Sequence, residues 1–302
     1  MASNIRRLGI VVALTIVLLI GVAQLAFSYS WVGVAHGVGS DGIPLAAVDI
    51  SIVPQIVIKD ANMLATELFG DSKEMTDDFV SQLLTLYAEA RDKDFVVIFN
   101  SGGWGRTLVE NSPGWRSIFS GIEAELDESG YRSLVVSYQR RVDTLRGYLN
   151  GMGEMLTGYS SKAEELASRV EFLTKHIPDL NVIIAGESTG TVISDNVIHI
   201  LEENPQVYSI QTGPPFWHNS LVLDKSLVIT GNGIDRDSFT DGDTVTLILG
   251  ILTDFFGLSS PQSDFGTTSH YVREPGHDYW WNYPEVRSQV TKFLDGHFKV
   301  KW

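Results

Sequence analysis

The sequence predicts a doubly wound α/β domain, a mostly parallel sheet with helices on both faces, preceded by one N-terminal transmembrane helix. Three observations carry this expectation. Four short apolar runs, 95–99, 134–136, 182–185 and 227–229, are continuous rather than alternating, as strands buried on both faces are. Segments with helical spacing lie between them, and strand followed by helix in succession implies a parallel sheet. Ahead of both stands 8–27, an apolar run whose only polar members are Thr15 and Gln24, long enough as a helix to cross a hydrocarbon core of ~30 Å.

The elements follow in chain order. Arg6 and Arg7 precede the apolar run and no basic residue follows closely, so the positive-inside bias keeps the N-terminus in the cytoplasm and exports the rest. Residues 1–28 are therefore a membrane anchor, or a signal peptide cut near Ser28; the anchor is favoured because the run exceeds the usual apolar core of a signal. Residues 29–302 form the globular domain, membrane-anchored and extracytoplasmic, or secreted if the segment is cleaved. Leading strands are expected within 46–58. A helix over 76–92 places Phe79, Leu83, Leu84, Tyr87 and Ala88 on one stripe, with Asp77 and Asp78 in its first turn. Ser161 and Glu164 have the spacing of a capping box and open a helix with Leu166, Val170, Leu173 and Ile177 inward, ended by Pro178. A further helix is expected over 191–203, strands over 207–212 and 226–230, and a short extended run over 270–273. The last helix spans 284–296, with Val286, Val290 and Phe293 inward and Gly296 at its stop.

Charge and composition remove whole classes of function. With 22 Lys and Arg against 37 Asp and Glu the net charge is −15, and two of the cations lie in the anchor. Such a surface repels phosphate backbones, so no nucleic-acid partner is expected. Cysteine is absent, which removes disulfides, thiolate catalysis and Cys-based metal sites. The sequence implies no metal or organic cofactor and assigns no oligomeric state.

Gly186-Glu187-Ser188-Thr189-Gly190 is a G-x-S-x-G pentapeptide. Composition alone supplies such a match about once in four chains of this kind, so its setting matters more than its letters. It follows the expected strand 181–185 directly and precedes a helix directly, the context of a nucleophile elbow. The alternative is a glycine-rich turn whose serine caps the helix.

A serine hydroxyl is a weak nucleophile near neutral pH, so a base, an orienting acid and oxyanion donors must accompany it. Among the histidines after Ser188, His199 falls within the helix leaving the elbow and His297 at the tail of the last helix; His218 and His270 remain besides His277. His277 stands in the turn Glu274-Pro275-Gly276-His277-Asp278, at a loop position where ligands gather in open α/β sheets; it is the expected base, with His270 the alternative. The run 227–230 leads into Gly231-Asn232-Gly233-Ile234-Asp235-Arg236-Asp237. Asp235 is the expected acid that holds the imidazole tautomer, and Asp237 the second candidate. The same residues lack the order of a calcium loop. For the oxyanion, 95–99 runs into Asn100-Ser101-Gly102-Gly103-Trp104-Gly105; Gly103 or Trp104 would give one N–H and Thr189 the other. The loop lacks the Gly-Lys-Ser/Thr ending of a phosphate-binding P-loop.

With these motifs in this order, the chain from about residue 95 onward resembles the α/β-hydrolase superfamily of serine esterases and lipases. The resemblance rests on Gly102-Gly103 after the early strand, GESTG at 186–190, Gly-x-Asp at 233–235 and PGHD at 275–278. It implies Ser188 as nucleophile, His277 as general base and then acid, Asp235 as orienting carboxylate, and the N–H groups of Gly103 and Thr189 as oxyanion hole. It implies hydrolysis of a small-molecule carboxylic ester or thioester through an acyl-enzyme. Acyl transfer, lipase or peptidase action, or a catalytically silent binding domain at the membrane, are the alternatives. The chain departs from many family esterases in having Ser101 where they have histidine, and its short interval between 207–212 and 226–230 leaves little room for a cap. The insertion lies instead at 239–268, with the apolar run 245–252 followed by Phe255 and Phe256; it is either a core helix or a substrate-facing lid. Trp217, Trp280 and Trp281 flank the expected site in sequence, as acyl-pocket lining or as core.

Overall fold

The structure is a computed structural model and describes residues 42–43, 52–103, 105, 107–140, 154, 159–243 and 276–298. Five parallel strands form the sheet: β1 (Phe95–Asn100), β2 (Ser133–Tyr138), β3 (Asn181–Glu187), β4 (Val207–Thr212) and β5 (Ser226–Ile229). Their order is β2-β1-β3-β4-β5. The chain winds outward in opposite directions from β1 and β3, which places a topological switch point between these two strands, the position where open α/β sheets bind ligands.

Among the described residues six helices cover the sheet: α1 (Gln55–Phe69), α2 (Lys73–Ala90), α3 (Pro113–Glu128), α4 (Ser160–His176), α5 (Thr189–Ile200) and α6 (Pro284–His297). Successive strand side chains point to opposite faces, and both faces are dry. Val96, Ile98, Val182, Ile184 and Val207 pack beneath α1, α2, α4 and α5. Phe95, Val97, Phe99, Ile183, Ala185 and Ile210 pack beneath α3 and α6. That double burial explains the unbroken apolar runs. On the second face Trp115 lies 5.3 Å from the Phe99 ring and 4.9 Å from Phe119, an aromatic stack in which each fully buried large side chain contributes roughly 1.5–3 kcal/mol.

Several local expectations need correction. Residues 55–58, placed in a leading strand, open α1 after Pro54, whose fixed φ suits a helix start. The helix expected over 76–92 begins at Lys73, so Glu74 rather than Asp77 or Asp78 occupies its first turn. The Ser161–Glu164 capping box does not form: the N-cap of α4 lies two residues earlier, at Tyr159 in the left-handed region at φ 56°, and Ser161 Oγ donates to Glu154 instead. Gly296 is not a left-handed stop but the penultimate residue of α6.

Among the described residues no helix is long and apolar enough to cross a membrane. The run 8–27, Trp104, the segment 244–268 of the insertion, His270 and the extended run 270–273 lie outside the described residues.

Candidate active site

β3 delivers Glu187 and Ser188 to the C-terminal edge of the sheet, and α5 begins at the next residue. Ser188 has φ 51° and ψ −123°, a conformation that L-residues with a Cβ rarely adopt and that costs on the order of 1–3 kcal/mol. The flanking glycines make the turn feasible. A Cβ at Gly186 would meet Ser194 Oγ at 2.6 Å and the Thr191 backbone at 2.9 Å, and one at Gly190 would collide with the carbonyl oxygens of Asn100 and Ser101. The strand, the helix and the end of β1 thus approach at backbone distance, and the serine stands on a sharp strand-to-helix turn, as a nucleophile elbow does.

The Ser188 N–H donates to the Thr212 carbonyl at 3.0 Å. The next residue along β4 is Gly213, at φ 59°, and a Cβ there would run into the His277 ring. His277 therefore packs on the backbone beside the elbow. Its loop gains that position through Gly276, at φ 77°, whose missing side chain admits the Arg236 carbonyl.

His277 Nδ1 lies 2.8 Å from Asp237 Oδ2. This corrects the choice of Asp235, which is exposed and does not meet the ring. The reason is local: Asn232 Oδ1 accepts the N–H groups of Ile234 and Asp235 at 2.8 and 3.0 Å, a turn that keeps Asp235 on the surface. Two residues later the chain dives inward. Asp237 is 1 % exposed; its Oδ1 accepts the N–H groups of Phe239 and Thr240, and its Oδ2 also receives the Thr240 hydroxyl at 2.9 Å and the Tyr279 hydroxyl at 2.6 Å. Burial pushes the Asp237 carboxyl upward, but hydrogen bonding and charge from His277, with the bonds from Tyr279 and Thr240, leave it below the ordinary carboxylate range. Burial and the neighbouring Asp237 charge hold the Tyr279 hydroxyl well above its usual range, so it stays a donor. Tyr279 and Thr240 were not singled out from the sequence, although both lie within three residues of the pair they support.

The oxyanion candidates lie on adjacent backbone. Gly103 adopts φ 57°, and its carbonyl accepts the Thr189 hydroxyl at 2.8 Å. Thr189 is the first residue of α5, so its N–H is among those a helix leaves without an internal partner. Gly103, Thr189, Ser188 and the His277–Asp237 pair thus gather at the switch point.

The other histidines are engaged elsewhere. His218 Nε2 lies 2.6 Å from the buried Asp195 of α5, which also accepts from Gln211 and from Leu221 N–H. His199 is exposed, 3.7 Å from Glu202, and His297 Nδ1 donates to the Phe293 carbonyl at 2.9 Å. Trp217 does reach the site region: its ring is 5.3 Å from Phe239, itself 4.9 Å from His277. Trp280 and Trp281 instead pack on α3 at Gly114 and Gly121. Among the described residues no group of three or more metal-ligating side chains occurs.

The sequence matches no protein-family model and no curated protein. Among solved structures the chain is similar to Trichoderma reesei cutinase in complex with a C11Y4 phosphonate inhibitor, at 13% identity and a TM-score of 0.37 over 64% of this chain and 82% of that one. It is also similar to a lipase-esterase related protein from Clostridium acetobutylicum, at 14% identity and a TM-score of 0.27 over 67% of this chain and 66% of that one. At such levels the chemistry has to be judged from this chain's own residues. The parallel α/β sheet with a sharp strand-to-helix turn after β3 has an α/β-hydrolase-like fold.

Proposed function

We propose that this protein is a serine hydrolase that cleaves a carboxylic ester or thioester through an acyl-enzyme. The observation that carries this is Ser188 held at positive φ on the elbow, beside a histidine whose Nδ1 is bound by a buried, ionised carboxylate.

The roles follow from that geometry. Asp237 fixes the tautomer with hydrogen on Nδ1, which leaves His277 Nε2 as the basic nitrogen. His277 takes the Ser188 proton as Oγ attacks the acyl carbon. The oxyanion that forms is received by the N–H groups of Thr189 and Gly103, and the buried carboxylate stabilises the imidazolium. His277 then protonates the departing alcohol or thiol. In the second half it deprotonates a water molecule, which attacks the acyl-enzyme and releases the acid. The aromatic wall of Trp217 and Phe239 beside His277 suits an apolar substituent on the ester. The Arg6-Arg7 pair and the apolar run 8–27 support an anchor that carries this domain outside the cytoplasm.

The test is covalent labelling of the detergent-solubilised full chain by a fluorophosphonate, with Ser188→Ala beside it. Label on the wild-type protein and none on the folded variant is the expected result. Equal labelling of both, or of neither, sinks the assignment, and the second outcome redirects the search from substrates to binding partners.

A further inference from the structure

The loop that carries Gly103 contains two adjacent glycines, and a Gly-Gly peptide is free to rotate unless something holds it. Two charged side chains, neither of them used in the chemistry above, hold the peptide just before it. Arg140 follows β2 and is buried; its Nη2 donates to the Ser101 carbonyl at 2.5 Å, and its backbone N–H donates to the Gly105 carbonyl at 2.8 Å. On the other side of the same peptide unit, Gly102 N–H points to Glu187 Oε2 at 3.4 Å. Glu187 is the buried residue immediately before the nucleophile. The Ser101–Gly102 peptide therefore lies with its carbonyl on a cation and its N–H towards an anion, its dipole aligned between them.

Three further observations set Arg140 apart from an ordinary structural ion pair. Among the described residues its Nε and Nη1 are buried without a hydrogen-bond partner, and it forms no ion pair. A buried guanidinium without a carboxylate is expensive to keep. Its charge is met instead by the face of Tyr159, 5.1 Å from the ring centroid, and Tyr159 is one of only two described non-glycine residues at positive φ, the other being Ser188. Gly105 also leaves room for the guanidinium, since a Cβ there would occupy the place of Arg140 Nε.

We propose that Arg140 and Glu187 form a clamp across the Ser101–Gly102 peptide that orients the oxyanion loop, so that both are positioning residues for the reaction at Ser188. Arg140 fixes the Ser101 carbonyl, Glu187 fixes the Gly102 N–H, and Thr189 fixes the carbonyl two residues on, at Gly103. The Gly102 carbonyl, which shares a peptide with the Gly103 N–H, accepts the Gly105 N–H at 3.0 Å, so the clamp and this turn bond together set the direction of the Gly103 N–H. The clamp contributes to the transition state and not to substrate binding, because the oxyanion exists only after Ser188 has attacked.

The inference rests on the hydrolase reading, and its test separates the two. Arg140→Gln, Glu187→Gln, the double variant and Ser188→Ala are made in the full chain and assayed with a p-nitrophenyl ester, with thermal melting to establish folding. For each single variant the expected result is a fall in kcat of roughly 10–100-fold with KM within about twofold, short of the 10²–10³-fold loss that follows deletion of an oxyanion donor. Because both residues act through one peptide, the double variant is no slower than about the worse single one. Arg140→Lys, which keeps the charge and one donor and is the variant to use if Arg140→Gln does not fold, recovers part of the loss relative to Arg140→Gln or, alone, falls less than tenfold. Folded variants with kcat unchanged, losses carried by KM alone, or losses that multiply in the double variant overturn the clamp while leaving Ser188 as nucleophile. A wild-type protein as inert as Ser188→Ala overturns the hydrolase reading and the clamp with it.

Discussion

At the scale of single residues, the choice between Asp235 and Asp237 shows how a carboxylate acquires a role. Both lie in one short loop, and neither spacing nor composition separates them. The difference is that the Asn232 turn holds one at the surface, whereas five donors converge on the other in a dry site. Asp237→Asn is expected to lower kcat by about 10⁴-fold, the order seen when an orienting carboxylate becomes an amide. Asp235→Asn leaves kcat within about twofold; steady-state ester hydrolysis by the two variants checks both. The same substitution has a signature in stability. The folded carboxyl lies below its ordinary value of 3.8, so its stabilisation is present above that value and is lost as pH falls through the lower folded one. Melting temperatures of the wild-type protein and Asp237→Asn therefore differ at pH 7, and the difference narrows as pH falls below about 4. A constant difference between pH 7 and pH 3 would show that the carboxylate is not held ionised by its partners.

At the scale of elements, the elbow is where three backbones meet, and its glycines bear that contact. Gly190→Ala would place a methyl against the carbonyl oxygens of Asn100 and Ser101. Neither oxygen can retreat without shifting the end of β1, so a cost of about 1–3 kcal/mol is expected, a fall in melting temperature of roughly 3–10 °C in a domain of this size. Gly296→Ala, in α6 with nothing within 4 Å of the added Cβ, should raise stability by about 0.5–1 kcal/mol instead. Calorimetry of the two variants distinguishes a steric role from a general sensitivity to glycine replacement. Much of this level was legible in the sequence. The four apolar runs became β1, β2, β3 and β5 because burial on both faces leaves an unbroken pattern, and G-x-S-x-G between a strand and a helix marked the elbow. Less legible were features decided by tertiary contact: the left-handed entry of Tyr159 into α4, and Arg140 reaching back to the Ser101 carbonyl across 39 positions of chain. Neither has a local pattern, since each depends on what the fold brings alongside.

At the scale of the whole molecule, the sheet order decides where the proposed chemistry would take place. Opposite winding from β1 and β3 opens a crevice at their C-terminal ends, and there the chain delivers Gly103 from β1, Ser188 from β3, Gly213 from β4 and Asp237 after β5. Four of the five strand ends contribute a component, so the site assembles only when the sheet does. The full chain carries a net charge of −15 and its two most N-terminal cations lie in 1–28, so the domain is strongly acidic and is repelled from anionic lipid headgroups. A domain of that charge stays at a membrane only if held by something stronger than surface attraction, and the apolar run 8–27 behind Arg6 and Arg7 has the length for it. The full chain expressed in a bacterial host should therefore sediment with membranes and remain there after carbonate extraction at high pH, which removes peripherally bound proteins. Protease added to the outer face of the inner membrane in spheroplasts should digest the domain. Recovery of a shortened chain in the soluble exported fraction would assign 1–28 to a cleaved signal instead, with the charge of the freed domain then sufficient to keep it from the surface it came from.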